Sequence, residues 1–214
     1  MFIEPIDSNE PSESNAIKLV KWIISMAIEG VPPLSSAKDL AIEYKIDQGY
    51  ENDDERVDSL INWETTKNFT SGFLTGLGGV ITLPVSVPSA LGASWLIQAR
   101  MAGAIAHIYG HSLSEDRVRT LVLLSLLGDT AKEVVKTAGV KVGQKLTERA
   151  ISKISGKTLI EINKIVGFRL ITKAGEKGVI NLTKFVPVVG GVVGGALDAV
   201  TCRAVGRTAK NLFS

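Results

Sequence analysis

The stretch NFTSGFLTGLGGVITLPVSVPSALGASWLIQA, residues 68–99, decides the fold because none of its 32 residues is charged. Pro84 and Pro88 interrupt it, since proline removes a backbone donor and disfavours helix at the preceding residue. We therefore divide it into two arms joined by a turn at 83–89. The first arm, 68–83, has 16 residues, about 24 Å of helix against a hydrocarbon core of about 30 Å. We expect a hairpin that is buried in a helical bundle or enters a bilayer only in part.

Before this stretch, apolar residues recur at intervals of three and four, the spacing of an amphipathic helix. The sequence predicts a first helix over 14–29 and a second that begins after Ser35 or Ser36 and ends near Gln48. A third helix is predicted from Asp53, because acidic residues are favoured at the positive end of the helix dipole.

After the stretch, the second arm continues to Gly110, a residue typical of helix C-termini. Residues 114–116 are predicted to begin the next helix, and Pro187 suits the first position of the last one. Strict apolar–polar alternation is scarce, so no sheet is expected. The sequence therefore predicts an all-α fold, a compact bundle of about seven to nine helices with a glycine- and proline-rich central hairpin.

Length and composition indicate one folded domain. The chain has 214 residues, 45% of them hydrophobic and 21% charged, a balance that excludes disorder. Cys202 is the single cysteine, which favours a reducing compartment. The first 15 residues are acidic and lack the basic start of a signal peptide. We expect a flexible acidic tail over 1–13, one helical domain over 14–214, and a cytoplasmic location, peripheral at the inner face of the membrane.

The net charge of +2 conceals an asymmetry along the chain. Residues 1–66 carry a net charge of −9, and residues 67–214 carry +11. Two interpretations follow: the two parts meet different partners, or they neutralise each other within the fold.

A run of basic residues recurs every four positions between 141 and 157. Each step of four turns a helix by about 40°, so five residues spread over roughly 160° of one helix surface, if the helix runs that far. An apolar row follows one position later, and such a pair of faces attracts an anionic bilayer. An ordinary solvated helix face is the alternative, and nucleic-acid binding is not expected because no aromatic residues are interleaved. The basic residues are Lys141, Lys145, Arg149, Lys153 and Lys157.

Glycines at helical spacing predict close contact between helices, because they let two backbones approach. That contact lies either within the molecule or between subunits of an oligomer. Asp198 lies in the second glycine-rich segment and is the candidate buried carboxylate, which needs a partner or a raised pKa. The contact glycines are Gly72, Gly76 and Gly79 in the first arm, and Gly190, Gly191, Gly194 and Gly195 near the C-terminus.

Catalytic and metal-binding patterns are absent from the sequence. His107 and His111 are four residues apart, but Ile108 stands where a zinc protease has its glutamate, and Gly110 ends the helix between them. No third ligand suggests itself, so we expect no metal and no other cofactor. Cys202 has no neighbouring base in the sequence, and no catalytic residue is predicted.

Several of these segments together resemble the EcsC family. The resemblance implies a helical, largely bacterial family found in transport, membrane or secretion contexts, and it assigns no catalytic residue. It is carried over roughly 69–213 by GFLTGLGG at 72–79, Leu83-Pro84 with Val87-Pro88, AHIYG at 106–110, GFRL at 167–170, and VPVVGG at 186–191 followed by Asp198.

Three classes of function fit these features. The first is a non-catalytic helical protein that associates with an anionic membrane surface or a membrane-embedded partner, through the basic residues and the hairpin. The second is a bilayer-inserting protein that hides the hairpin until triggered. The third is an enzyme acting on a lipid or other apolar substrate near Asp198.

Overall fold

The computed structural model describes residues 13–69, 83–85, 87–140, 154–180 and 187–214, with side chains for 13–66, 83–85, 87–140, 154–173 and 199–214. These ranges contain eight α-helices, one 3-10 turn at Gly128–Thr130 and no strand, so the all-α prediction is confirmed. The helices are α1 Glu13–Glu29, α2 Ala37–Ile46, α3 Asp53–Phe69, α4 Ser89–Ile108, α5 Asp116–Ser125, α6 Ala131–Thr137, α7 Gly156–Ile180 and α8 Pro187–Phe213.

Helix α2 begins as predicted but ends earlier than predicted. Its N-cap is Ser36, whose hydroxyl accepts a hydrogen bond from the Asp39 backbone at 3.0 Å. The carboxylate of Asp39 accepts in return from the Ser36 backbone, which completes a capping box. The helix stops at Ile46 rather than near Gln48, because the Asp47 side chain turns the chain by accepting from the Gly49 backbone at 2.8 Å.

The N-terminal boundary also differs by one residue from the prediction. Glu13, expected to close the flexible tail, is the first residue of α1, and its carboxylate lies 3.1 Å from the ammonium group of Lys164 on α7. An ion pair and the positive end of the helix dipole both favour a glutamate at this position. Residues 1–12 of the expected tail lie outside the described residues.

Helix α4, the second arm of the predicted hairpin, is the core of the bundle. It is buried at every position from Gly92 to Ala106 and packs against α1, α2, α3, α5 and α8. A helix that is predominantly apolar on all its faces needs such enclosure. Gly110, with φ of +89°, ends it as predicted, because the His111 and Gly110 amides donate to the carbonyls of Ala106 and His107. Of the first arm, 68–83, the first two residues end α3 and Leu83 is described, while residues 70–82 lie outside the described residues.

The C-terminal helix α8 begins at the predicted Pro187 and packs against α3, α4 and α5. Helix α7 packs against α1, α5 and α6. Within the described ranges, none of the helices combines the length and the apolar character that crossing a membrane requires.

Candidate functional site

The predicted run of basic residues does not continue to its end as one helix. Ile154 and Ser155 are not helical, and α7 begins at Gly156. The hydroxyl of Ser155 accepts a hydrogen bond from the Thr158 backbone at 3.2 Å, as an N-cap serine does. Lys157 therefore lies in the first turn of α7, where its side chain is exposed, and the non-helical residues 154 and 155 separate it from the chain before them. The four preceding basic residues, Lys141, Lys145, Arg149 and Lys153, lie outside the described residues.

Other exposed lysines flank the same segment. Lys132 and Lys136 are exposed on α6, one turn apart on the same side of the helix. Ile160 lies one turn after Lys157 and keeps 63% of its surface exposed. We use the name cationic end for Lys132 and Lys136 on α6 and for Lys157 and Ile160 on α7, the exposed residues that precede and follow the basic segment 141–153 in the chain.

Acidic side chains also lie near the residues of the cationic end. Glu133, between the two lysines of α6, pairs with Arg169 of α7 at 3.5 Å. Glu161 is exposed next to Ile160 and is the acidic neighbour on α7. Among the described side chains, no ion pair involves Lys132, Lys136 or Lys157.

Acidic residues of the first third instead pair with basic residues elsewhere in the fold. Glu13 pairs with Lys164, and Lys210 of α8 lies 2.7 Å from Asp58 and 3.8 Å from Asp54 on α3. These pairs show that part of the charge asymmetry is neutralised internally, which was one of the two interpretations of the sequence.

The predicted helix-contact glycines and Asp198 are placed only in part. Gly190, Gly191, Gly194, Gly195 and Asp198 occupy helical positions of α8, in a section whose side chains are not among those described. Gly72, Gly76 and Gly79 lie outside the described residues. A close approach of the predicted kind does occur at Gly167 of α7, where an added Cβ would lie 2.5 Å from the Ala16 carbonyl oxygen of α1.

The two histidines do not lie on one face of the same helix. His107 lies in the last turn of α4, and burial lowers its pKa, with a further contribution from the charge of Lys45. His111 follows the turn, with its Nε2 atom 2.9 Å from the Phe213 carbonyl oxygen. Cys202 is buried on α8. The described part of the chain contains no group of three His, Cys, Asp or Glu residues arranged for a metal ion.

Sequence reasoning missed a buried charged cluster beneath α2 and α3. Arg100 of α4 donates to the carbonyl and hydroxyl oxygens of Ser35, at 2.7 and 2.8 Å. Its guanidinium also lies 3.7 Å from the carboxylate of Glu64, and both side chains are buried. The sequence feature that could have indicated this cluster is the position of Arg100, which is the first charged residue after the long uncharged stretch.

Fold and surface together define an all-helical protein with a buried central helix and an exposed cationic end that carries an apolar side chain. The chain belongs to the EcsC protein family, which it matches over residues 13–214. The match confirms the resemblance seen in the sequence and extends it to the first helices. No curated protein and no solved structure matches the chain.

Proposed function

We propose that this EcsC family protein associates peripherally with anionic membrane surfaces through its cationic end. The observation that carries the proposal is the exposure of Lys132, Lys136 and Lys157 at both ends of the basic segment 141–153. Each lysine or arginine near an anionic leaflet contributes on the order of 1 kcal/mol of attraction. Several such residues give useful affinity without any spanning helix.

Two further features support a surface role for this end. Ile160 exposes an aliphatic side chain beside Lys157, and an apolar group next to lysines suits the boundary between headgroups and acyl chains. Glu13, Asp54 and Asp58 form their ion pairs with Lys164 and Lys210. These acidic residues therefore do not pair with the lysines of the cationic end. The inner leaflet of a cell membrane supplies the matching negative charge.

The test is flotation with choline-free vesicles of phosphatidylethanolamine and a neutral glycolipid, with or without phosphatidylglycerol. We expect flotation only with phosphatidylglycerol, and its loss at high salt, because salt screens exposed charges. Lys136→Glu with Lys157→Glu should weaken binding by at least ~30-fold, since two attractions of about 1 kcal/mol are lost and the new carboxylates are repelled by the anionic surface. Lys145→Glu with Lys153→Glu tests the connecting segment in the same way.

The matched control is Lys38→Glu with Arg207→Glu, which makes the same charge change at exposed positions of α2 and α8. This pair should float like the unmodified protein. Equal flotation of the Lys136/Lys157 variant and the control would contradict the proposal. Flotation that resists high salt would instead indicate insertion of an apolar segment, and no flotation would reject membrane binding by this surface.

A further inference from the structure

A second surface feature lies on α2 and α3, away from the cationic end. The two helices and the loop between them form an open pocket of about 340 Å³. Three aromatic rings and two carboxylates dominate its wall. The lining residues are Glu43, Tyr44, Asp47, Tyr50, Ser59 and Trp63.

The two tyrosine rings of this pocket are held in place, and Trp63 is partly exposed. The rings of Tyr44 and Tyr50 stack, with centroids 6.1 Å apart and planes inclined by 23°. The hydroxyl groups of Tyr50 and Ser59 share a hydrogen bond of 2.8 Å, which ties the loop to α3. Trp63 leaves 55% of its surface exposed, although it is a large aromatic residue. Packed tyrosine rings of this kind, with an exposed tryptophan beside them, offer aromatic surface to a ligand with little ordering of a flexible chain.

Arg56 organises the loop without cancelling the negative charge of the pocket. Its guanidinium donates to the carbonyl oxygens of Tyr44 and Tyr50, at 3.2 and 3.5 Å, and pairs with Asp53 at 3.0 Å. Because Asp53 balances the charge of Arg56, the two lining carboxylates, Glu43 and Asp47, leave the pocket negative.

The titration of Tyr44 reports the same environment. Burial raises the pKa of its phenol to about 12, and the carboxylates of Glu64 and Glu43 contribute, while Arg100 acts in the opposite direction. The ring therefore stays neutral at physiological pH. Of these two carboxylates, Glu43 lines the pocket, where its negative charge favours a cation.

We propose that this pocket binds a quaternary ammonium group. Aromatic rings attract a cation within about 6 Å of the ring centroid, and an alkylated ammonium is recognised well because it gives up little hydration. Glu43 and Asp47 add a longer-range attraction that a neutral ligand of the same shape would not experience. The proposed site uses other helices and another ligand chemistry than the membrane-binding surface, and stands independently of it.

The first test compares choline with 3,3-dimethylbutan-1-ol, which replaces the ammonium nitrogen by carbon, by calorimetry on the full chain. Choline should bind saturably and at least ~10-fold more tightly than its neutral analogue, because the cation–aromatic and carboxylate attractions are lost. Equal binding of the two compounds, or no saturable binding of choline, would overturn the proposal.

Variants locate the site. Trp63→Leu and the isosteric pair Glu43→Gln with Asp47→Asn should each weaken choline binding at least ~5-fold. Ile46→Ala is the matched control, since Ile46 is 72% exposed on α2 and does not line the pocket. Unfolding in urea verifies that each variant is folded. Choline affinity unchanged in both pocket variants would place binding elsewhere and contradict the proposal.

The quaternary ammonium has two sources, a free solute or the headgroup of a choline phospholipid. Flotation with phosphatidylcholine vesicles that is competed by free choline and lost in Trp63→Leu identifies the headgroup. Choline binding without such flotation identifies a free solute, and either result supports the proposed chemistry. The Lys136→Glu with Lys157→Glu variant should keep its choline affinity, so failure of the membrane proposal and failure of this one are distinguishable.

Discussion

The acidic pocket on α2 and α3 and the cationic end on α6 and α7 are built in different ways. Each site has one exposed apolar side chain. Trp63 lies in the pocket with Glu43 and Asp47, and Ile160 belongs to the cationic end with its lysines. The pocket helices pack on the buried helix α4, whereas α7 packs on α1, α5 and α6. In the pocket, Tyr44 and Tyr50 are held by stacking and by the hydrogen bond from Tyr50 to Ser59, while the lysines of the cationic end form no described ion pair. A concave site suits a small ligand, and exposed lysines suit a fluid surface.

The largest effect is expected where the pocket helices rest on buried charge. Arg100→Met removes the guanidinium that faces Glu64 and donates to Ser35. Loss of one member of a buried pair should lower the free energy of unfolding by about 3–5 kcal/mol, because the remaining carboxylate stays buried. Urea unfolding measures this loss.

The double variant Arg100→Met with Glu64→Met sharpens this prediction. It removes both charges, so it should be more stable than Arg100→Met alone, and the double-mutant cycle gives their interaction free energy. A loss below about 1 kcal/mol for Arg100→Met would mean that the pocket helices do not depend on this pair.

A smaller effect is expected where α7 packs on α1. In Gly167→Ala, the new methyl group would lie 2.5 Å from the Ala16 carbonyl oxygen and 2.8 Å from its carbonyl carbon. These are backbone atoms, so the two helices must separate, at an expected loss of about 1–3 kcal/mol in the free energy of unfolding. Gly156→Ala on the same helix is the control, since nothing lies within 4 Å of its added methyl group. Equal stabilities of the two variants would show that this close approach does not limit the packing.

The exposed ion pairs between α3 and α8 should contribute still less. Lys210→Met removes the pairs with Asp54 and Asp58, whose side chains are 64% and 61% exposed. We expect a loss of about 1 kcal/mol or less, because solvent screens exposed pairs. The loss should shrink further at high salt when unfolding is followed in urea. A loss that is insensitive to salt would indicate that Lys210 acts through packing instead of charge.

The fold could be predicted from the sequence where local signals decide it. Ser36, Gly110 and Pro187 mark helix ends that follow from backbone geometry and capping alone. Gly110 and Pro187 lie where the sequence predicts them, and Ser36 is one of the two N-cap residues, Ser35 or Ser36, that the sequence leaves open. Helix α4 could be identified from its uncharged run, although its neighbours could not, because periodicity does not reveal which helices meet.

The surface features were less accessible to sequence reasoning. The basic repeat suggested one helix through Lys157, but the N-cap at Ser155 interrupts it, and a serine within a regular charge pattern is easily overlooked. The pocket remained hidden because Tyr44 and Trp63 come from separate helices, and only their packing brings them to one wall. Gly167 belongs to the GFRL segment that carries part of the family resemblance. Its close approach to Ala16 could be recognised only in the structure.

The smallest expected effect concerns His107, at the end of α4 beside α2. Burial lowers its pKa below the usual 6.5, and the charges of Lys45 and Lys38 act in the same direction. The unfolded chain therefore binds the proton more readily than the folded chain. The stability contribution is fully present above pH ~6.5 and declines as the pH falls from there towards the lowered folded pKa.

His107→Gln should remove this decline, which urea unfolding between pH ~8 and ~5.5 can measure against the unmodified chain. Lys45→Met provides a second readout by a nuclear magnetic resonance titration of His107, because it removes a nearby positive charge. The pKa of His107 should rise in this variant without reaching its usual value, since burial is the larger cause of the lowering. The Lys45 ammonium also donates to the His107 carbonyl oxygen at 3.3 Å, so a full return would assign the lowering to this lysine and contradict the role of burial.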